Sequence, residues 1–238
     1  FANEFLKSND DASILLCEVN NPSRFGIVDM HDGKITKIME KPKDPPTNFA
    51  VTGIYFLTPK IFKIIENLKP SWRNELEITD ALQILLSESN KITYHIITNY
   101  WKDTGTPEDI INANREILKN KKSYFYGEKS NDSSLIDTVL VGKGTKILGN
   151  SQIKGPIIIG ENCIIEDSLI GPNVSIGNNT KAKKCHIKNS IIMENCNLQS
   201  SIHLNNSIIP HNSEIKINDD KKEVTLILGE GTKIFHSK

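Results

Sequence analysis

The chain has 238 residues, 37% of them hydrophobic and 24% charged, which fits one large globular domain or two modest ones. Its 29 Lys and Arg balance its 29 Asp and Glu, so no electrostatic footprint argues for nucleic acid or a membrane surface as partner. No apolar run reaches the ~20 residues of a membrane-spanning helix, no signal peptide is visible, and the four cysteines lack CxxC or His spacing, so they read as reduced thiols of a cytoplasmic protein.

In chain order, residues 1–7 suggest a short helix that Asn9-Asp10-Asp11 ends. Residues 13–19 form a continuous apolar run suited to a central strand. After the break at Asn20-Asn21-Pro22, residues 25–30 and 34–39 flank His31-Asp32-Gly33, a hairpin signal with Asp-Gly at its tip. Gly26 opens that hairpin, either as a strand irregularity or as a point of close backbone approach. Three prolines in five positions make residues 42–48 a loop. The β-branched and aromatic run Phe49–Leu57 returns as a strand. Glu40 and Lys41 therefore sit at a strand end, where α/β sheets place ligands. A helix is predicted from Thr58-Pro59 to about residue 68, with Thr58 as its cap. An amphipathic helix follows over residues 75–87 and a strand over 92–98. The last helix runs from Thr106-Pro107 to about residue 119, its Thr cap answered by Asp109.

Residues 123–137 are polar and read as a linker between an α/β domain (1–122) and a second domain (138–238). In the second domain Val141, Ile147, Ile153, Ile159 and Ile165 stand six apart; Ile170 and Ile176 resume the rhythm after a one-residue slip, and Leu198 and Leu204 carry it on. Glycine and asparagine mark the corners. This is the signature of a parallel β-helix of hexapeptide repeats, a scaffold suited to assembly into a homo-oligomer. Asp219-Asp220-Lys221-Lys222 is expected to interrupt it, with residues 224–228 and 233–235 as capping strands.

Four motifs stand in register: Asn21-Pro-Ser-Arg-Phe25-Gly26, Glu40-Lys-Pro…Val51-Thr-Gly-Ile-Tyr55, Arg73-Asn-Glu75-Leu-Glu77-Ile-Thr79-Asp80, and Trp101-Lys-Asp103-Thr-Gly105. Together they resemble the sugar-1-phosphate nucleotidylyltransferases, closest to the glucose-1-phosphate thymidylyltransferases in their long form with a left-handed β-helix. The resemblance implies the C-terminal part of a Rossmann-like nucleotidyltransferase sheet. It implies transfer of a nucleotidyl group from a nucleoside triphosphate, dTTP favoured, to a sugar 1-phosphate, glucose 1-phosphate favoured, with Mg²⁺. Such catalysis rests on positioning and charge neutralisation.

By the same resemblance Lys41 contacts the sugar phosphate, Glu40 accepts hydrogen bonds from sugar hydroxyls, and the backbone of Gly26 and Val51, with Tyr55, lines the sugar pocket. Arg73 reaches the same phosphate, although Asn74 stands where the family usually has Gly. Asp103 is a metal ligand. Gly26, Gly33 and Gly53 are isolated, and with Phe at position 1 and no Gly-rich phosphate loop the nucleotide-binding half reads as missing. Two alternatives remain: a non-catalytic sugar-binding or oligomerisation fragment, and a hexapeptide-repeat acyltransferase. The latter needs a general-base His; His186, His203 and His211 lie in the repeats and read as solvent-facing corner residues.

Overall fold

In a computed structural model, which describes residues 1–88, 91–199, 203–217 and 223–236, the chain divides into two units, Phe1–Asp103 and Thr104–Lys238. The first unit carries a short helix α1 (Ala2–Phe5), strands β1 (Ala12–Glu18), β2 (Gly26–His31), β3 (Lys34–Glu40) and β4 (Phe49–Leu57), helices α2 (Lys60–Glu66) and α3 (Ile78–Ser87), and strand β5 (Ile92–Ile96). The sheet order is β3-β2-β4-β1-β5. The apolar run of β1 is central, as expected: it pairs antiparallel with β4 and parallel with β5, and Ala12, Ile14 and Leu16 are fully buried. Asp32 and Gly33 both take positive φ at the tip of the β2–β3 hairpin, the geometry that favours Asp-Gly there.

Gly53, at φ +81°, lies in an irregularity of β4, where the register jumps from Ile14↔Tyr55 to Leu16↔Val51. The extra residues bulge out of the ladder, and glycine accepts that backbone without strain. Helices α2 and α3 bury Ile61, Ile64, Ala81, Leu82 and Leu85 in one cluster with Ile14, Leu16, Val28 and Val51.

Two helix starts differ from expectation. Helix α2 begins at Lys60, and Thr58 does not cap it: the N-cap residue Pro59 makes no side-chain bond, and the Thr58 hydroxyl is buried without a partner. Helix α3 begins at Ile78, because residues 71–75 close a turn instead. The Ser71 N–H donates to the Glu75 carbonyl (2.8 Å) and the Asn74 N–H to the Ser71 carbonyl (2.8 Å).

In the second unit α4 (Pro107–Lys119) starts as predicted, the Thr106 hydroxyl accepting the Asp109 N–H at 3.2 Å. It groups with the repeats, where Asn114 Nδ2 donates to the Asn173 carbonyl (3.4 Å) and Arg115 to Asn206 Oδ1 (2.8 Å).

Three parallel sheets of seven, six and six short strands make a β-solenoid. Each six-residue step in sequence advances one face, so three steps complete a coil. On one face Ile147 stacks on Ile165, Ala182, Leu198 and Ile215, all buried. The corners explain the asparagines. Asn162, Asn179, Asn195 and Asn212 hold φ between 55° and 60°, a region Asn tolerates better than most residues. Asn179 donates its amide to Asn195 (3.2 Å) and Asn195 to Asn212 (3.3 Å).

The segment expected as a linker holds strands Tyr124–Phe125, Glu128–Lys129 and Ser134–Ile136, which pair with the following strands as a first coil. The expected capping strands are a further coil as well: Lys233–His236 pairs parallel with Glu214–Ile217, Glu223–Val224 with His203–Leu204, and Ile227 bridges to Ile208. The interruption expected at residues 219–222 lies outside the described residues.

Cys17, Cys163, Cys185 and Cys196 are all buried. Two of them belong to a column of small corner residues, Thr145, Cys163, Thr180, Cys196 and Ser213, all shut off from solvent. The Cys163 N–H donates to Thr145 Oγ1 (2.9 Å) and the Cys196 N–H to Thr180 Oγ1 (3.1 Å), so each buried hydroxyl ties one coil to the next. Among the described residues no helix is long and apolar enough to cross a membrane.

Candidate functional site

Gly26 opens β2 and Glu40 closes β3, and the two are Cα partners across the hairpin. A Cβ on Gly26 would sit 2.5 Å from Thr79 Cγ2 and 3.1 Å from Glu40 Oε2. Glycine therefore lets the first turn of α3 settle onto the strand end. There Thr79 Oγ1 donates to Glu40 Oε2 at 2.9 Å. The close approach at Gly26 is made by the protein's own side chains.

The other Glu40 oxygen faces two cations: Arg73 Nη1 at 3.6 Å and Lys41 Nζ at 3.8 Å. Glu40 is only 14% exposed, so water screens these charges less than at an open surface. Lys41 takes φ +41° while its N–H donates to the Phe25 carbonyl at 3.0 Å. A non-glycine residue in that region costs about 1–2 kcal/mol, so the turn out of β3 is held by the contacts around it.

Arg73 is more engaged than a lone arginine ahead of a helix suggests. Its guanidinium also meets Glu77 (3.1 Å) and Glu75 (2.9 Å), and Ser71 donates to the same Glu77 oxygen at 3.1 Å. Asn74 sits at φ +60°. That is the left-handed region which glycine enters freely and which asparagine tolerates better than most residues. With three carboxylates around it, Arg73 acts first as the organiser of the cluster. Lys41, with one carboxylate at 3.8 Å, is the less committed cation.

Tyr55, on β4, has its phenol pushed above its ordinary value by burial and then by the Glu40 charge. Asp80 is raised in the same way, by burial and by Glu77. Val51 is buried and follows Ala50, the residue that pairs with Ile27 next to Gly26. Gly26, Lys41 and Arg73 thus converge on Glu40, with Tyr55 within electrostatic reach and Val51 on the adjoining strand.

Asp103 is outside this hydrogen-bonded cluster. It is exposed and in no ion pair among the described residues. Trp101, two residues earlier, lies edge-on to Phe25 with ring centroids 5.8 Å apart. Two residues of chain span at most ~7 Å, so that contact ties Asp103 to the strand start at Gly26.

Ser71 and Thr79 were given no role from sequence, although Thr79 stands within a motif singled out. The available signal was Gly26 itself, which needs a close neighbour to explain it. For the acyl-transfer alternative, His186 and His203 are not at corners. They begin facing strands, their rings stacked 4.1 Å apart. His211 does sit at a corner, and its Nδ1 accepts the Glu194 N–H at 3.3 Å.

The family profile described as nucleotidyl transferase matches residues 2–120, and that of the GMPPB C-terminal domain matches residues 162–237. The chain is 48% identical over 134 residues to the low-salt glycan biosynthesis nucleotidyltransferase Agl11 of Haloferax volcanii, covering 56% of this chain and 38% of that protein. It is 40% identical over 150 residues to a glucose-1-phosphate thymidylyltransferase of Streptomyces antibioticus, covering 63% and 42%. With the bifunctional protein GlmU of Methanococcus aeolicus the identity is 41% over 142 residues, covering 58% and 34%. The chain thus spans 34–42% of the length of these curated relatives.

Proposed function

The chain belongs to the nucleotidyl transferase family, and on that premise we propose that it supplies the sugar-phosphate side of a sugar-1-phosphate nucleotidyl transfer. The reaction joins a sugar 1-phosphate to a nucleoside triphosphate. A phosphate oxygen of the sugar attacks the α-phosphorus, the bond to the β-phosphate breaks, and pyrophosphate leaves. Glucose 1-phosphate and dTTP are the favoured pair, in keeping with the thymidylyltransferase among the relatives. The reading assigns no residue of this chain to the nucleotide.

The observation that carries it is the Glu40 carboxylate, held at a strand end by Thr79 and Arg73 with Lys41 beside it. Glu40 Oε1, which faces the Arg73 and Lys41 cations at 3.6 and 3.8 Å, is the acceptor for sugar hydroxyls. Lys41, as a compact point charge, meets the phosphate. Arg73 reaches that phosphate only by leaving the exposed Glu75 while it keeps Glu77. Gly26, Val51 and Tyr55 line the sugar.

Asp103 fits a shared Mg²⁺. Among the described residues no group of three or more His, Cys, Asp or Glu side chains could hold a metal alone, but Mg²⁺ in such sites takes one or two carboxylates and fills its shell with phosphate and water. When bound, the ion would neutralise phosphate charge.

The experiment is pyrophosphate release with dTTP, glucose 1-phosphate and Mg²⁺, in protein that carries this chain at the full length of its relatives. Lys41→Ala and Asp103→Ala should each cut turnover at least roughly a hundredfold, the loss typical of one electrostatic contact to developing charge. Full turnover after Asp103→Ala would overturn the metal role, and full turnover after Lys41→Ala the phosphate role. The solenoid then serves assembly into a homo-oligomer.

A further inference from the structure

A cavity of about 350 Å³ opens within the second unit, between α4 and the solenoid. That volume lies in the range of small-molecule sites. Arg115 projects from α4 into its lining. Of the five N–H donors of the guanidinium, one goes to Asn112 Oδ1 (3.2 Å) and one to Asn206 Oδ1 (2.8 Å), both neutral acceptors. Nε is buried without a partner. No carboxylate lies within ion-pair distance of Arg115 among the described residues, whereas Arg73 in the first unit has three. A cation held among neutral amides with one donor stranded is costly unless something else meets its charge.

The neighbours sharpen this. Arginine offers donors alone, so the oxygens of Asn112 and Asn206 must face it, and their NH₂ groups are left as donors at the same wall. An acceptor-rich group suits that wall: a phosphate or a carboxylate. Elsewhere in the lining stand two acceptors. They are the exposed Glu108 carboxylate and Thr225 Oγ1, whose proton goes to the Asn205 carbonyl (3.0 Å). They suit hydroxyl donors. Ile111 and Ile227 supply an apolar surface for a ring face.

We propose that this cavity binds a small polyol with one acidic group, a sugar phosphate or a sugar acid, with the acid on Arg115 and the amides and the hydroxyls on Glu108 and Thr225. The site shares no residue with the Glu40 cluster, and its test lowers that cluster's contribution.

Glucose 6-phosphate, glucuronate and glucose are titrated calorimetrically into the Lys41→Ala chain. At least one of the two acids should saturate one site at millimolar concentration, and the better acid tells phosphate from carboxylate. Neutral glucose should not saturate it. Adding Arg115→Gln should weaken the better acid by roughly tenfold or more. Adding Ile227→Trp, at a position already 54% exposed, should weaken it similarly by filling the cavity while Arg115 remains. If neither acid saturates, if glucose binds as well as they do, or if both added variants leave the affinity unchanged, the proposal is overturned.

Discussion

Replacing Gly26 with alanine tests how the Glu40 cluster is built. The new methyl would lie 2.5 Å from Thr79 Cγ2 and 3.1 Å from Glu40 Oε2. Carbon atoms prefer about 3.5–4.0 Å, so the strand end and the first turn of α3 must part by about 1 Å. That stretches the 2.9 Å bond from Thr79 to Glu40. Overpacking costs about 1–3 kcal/mol and a hydrogen bond to a charged group about 1.5–3 kcal/mol. The two losses overlap, so the expected destabilisation is about 2–4 kcal/mol, read from the urea midpoint with glucose 1-phosphate affinity measured in parallel. The control is Gly26→Ala with Thr79→Ser, which deletes Cγ2 but keeps the hydroxyl for Glu40. The pair should recover most of the loss. An unchanged midpoint in Gly26→Ala, or a double variant no better than the single, would refute the packing argument.

Ile165→Ala removes a fully buried rung between Ile147 and Ala182. It should cost about 2–5 kcal/mol, and a loss under about 1 kcal/mol in urea unfolding would contradict the stacked core. Burial raises the thiol pKa of Cys163 and Cys196, so an aromatic disulfide reagent should label neither in the native protein and both in urea; rapid native labelling would contradict the corner column. Asp80, raised above its ordinary 3.8 by burial and by Glu77, favours folding in its protonated form. That contribution is complete below 3.8 and is lost as pH climbs through the raised value, so ionised Asp80 costs stability at neutral pH. Asp80→Asn should therefore raise the urea midpoint at pH 7 and remove this pH dependence, whereas a lower midpoint would show that its favourable place in the first turn of α3 dominates.

The solenoid was legible because one residue in six must fill a narrow interior, and aliphatics at Ile147, Ile153 and Ile159 leave few other folds. Its ends were not. In the first coil Lys129 takes the place six before Leu135 where the rhythm calls for an aliphatic, and Tyr124 and Phe125 are exposed, so a polar reading of the segment gave a linker. The hairpin, the Phe49–Leu57 strand and the Thr106 cap were local signals and appeared as expected. The Thr58 cap did not, because Thr58 turns its hydroxyl inward. In the candidate site, Glu40 and Lys41 at a strand end could be read from the loop that follows. The partner could not: Thr79 lies 39 positions from Glu40, and only folding brings α3 against Gly26. Arg73 finds Glu75 and Glu77 close by in sequence, but its third partner, Glu40, is likewise remote.

The most direct measurement is a calorimetric titration of glucose 1-phosphate into this chain, beside Lys41→Ala and Glu40→Gln. The account predicts saturable binding that weakens at least roughly tenfold in each variant, with thermal midpoints that show both still folded. Binding to the unaltered chain that neither substitution weakens would place the sugar phosphate elsewhere and contradict the assignment of the Glu40 cluster.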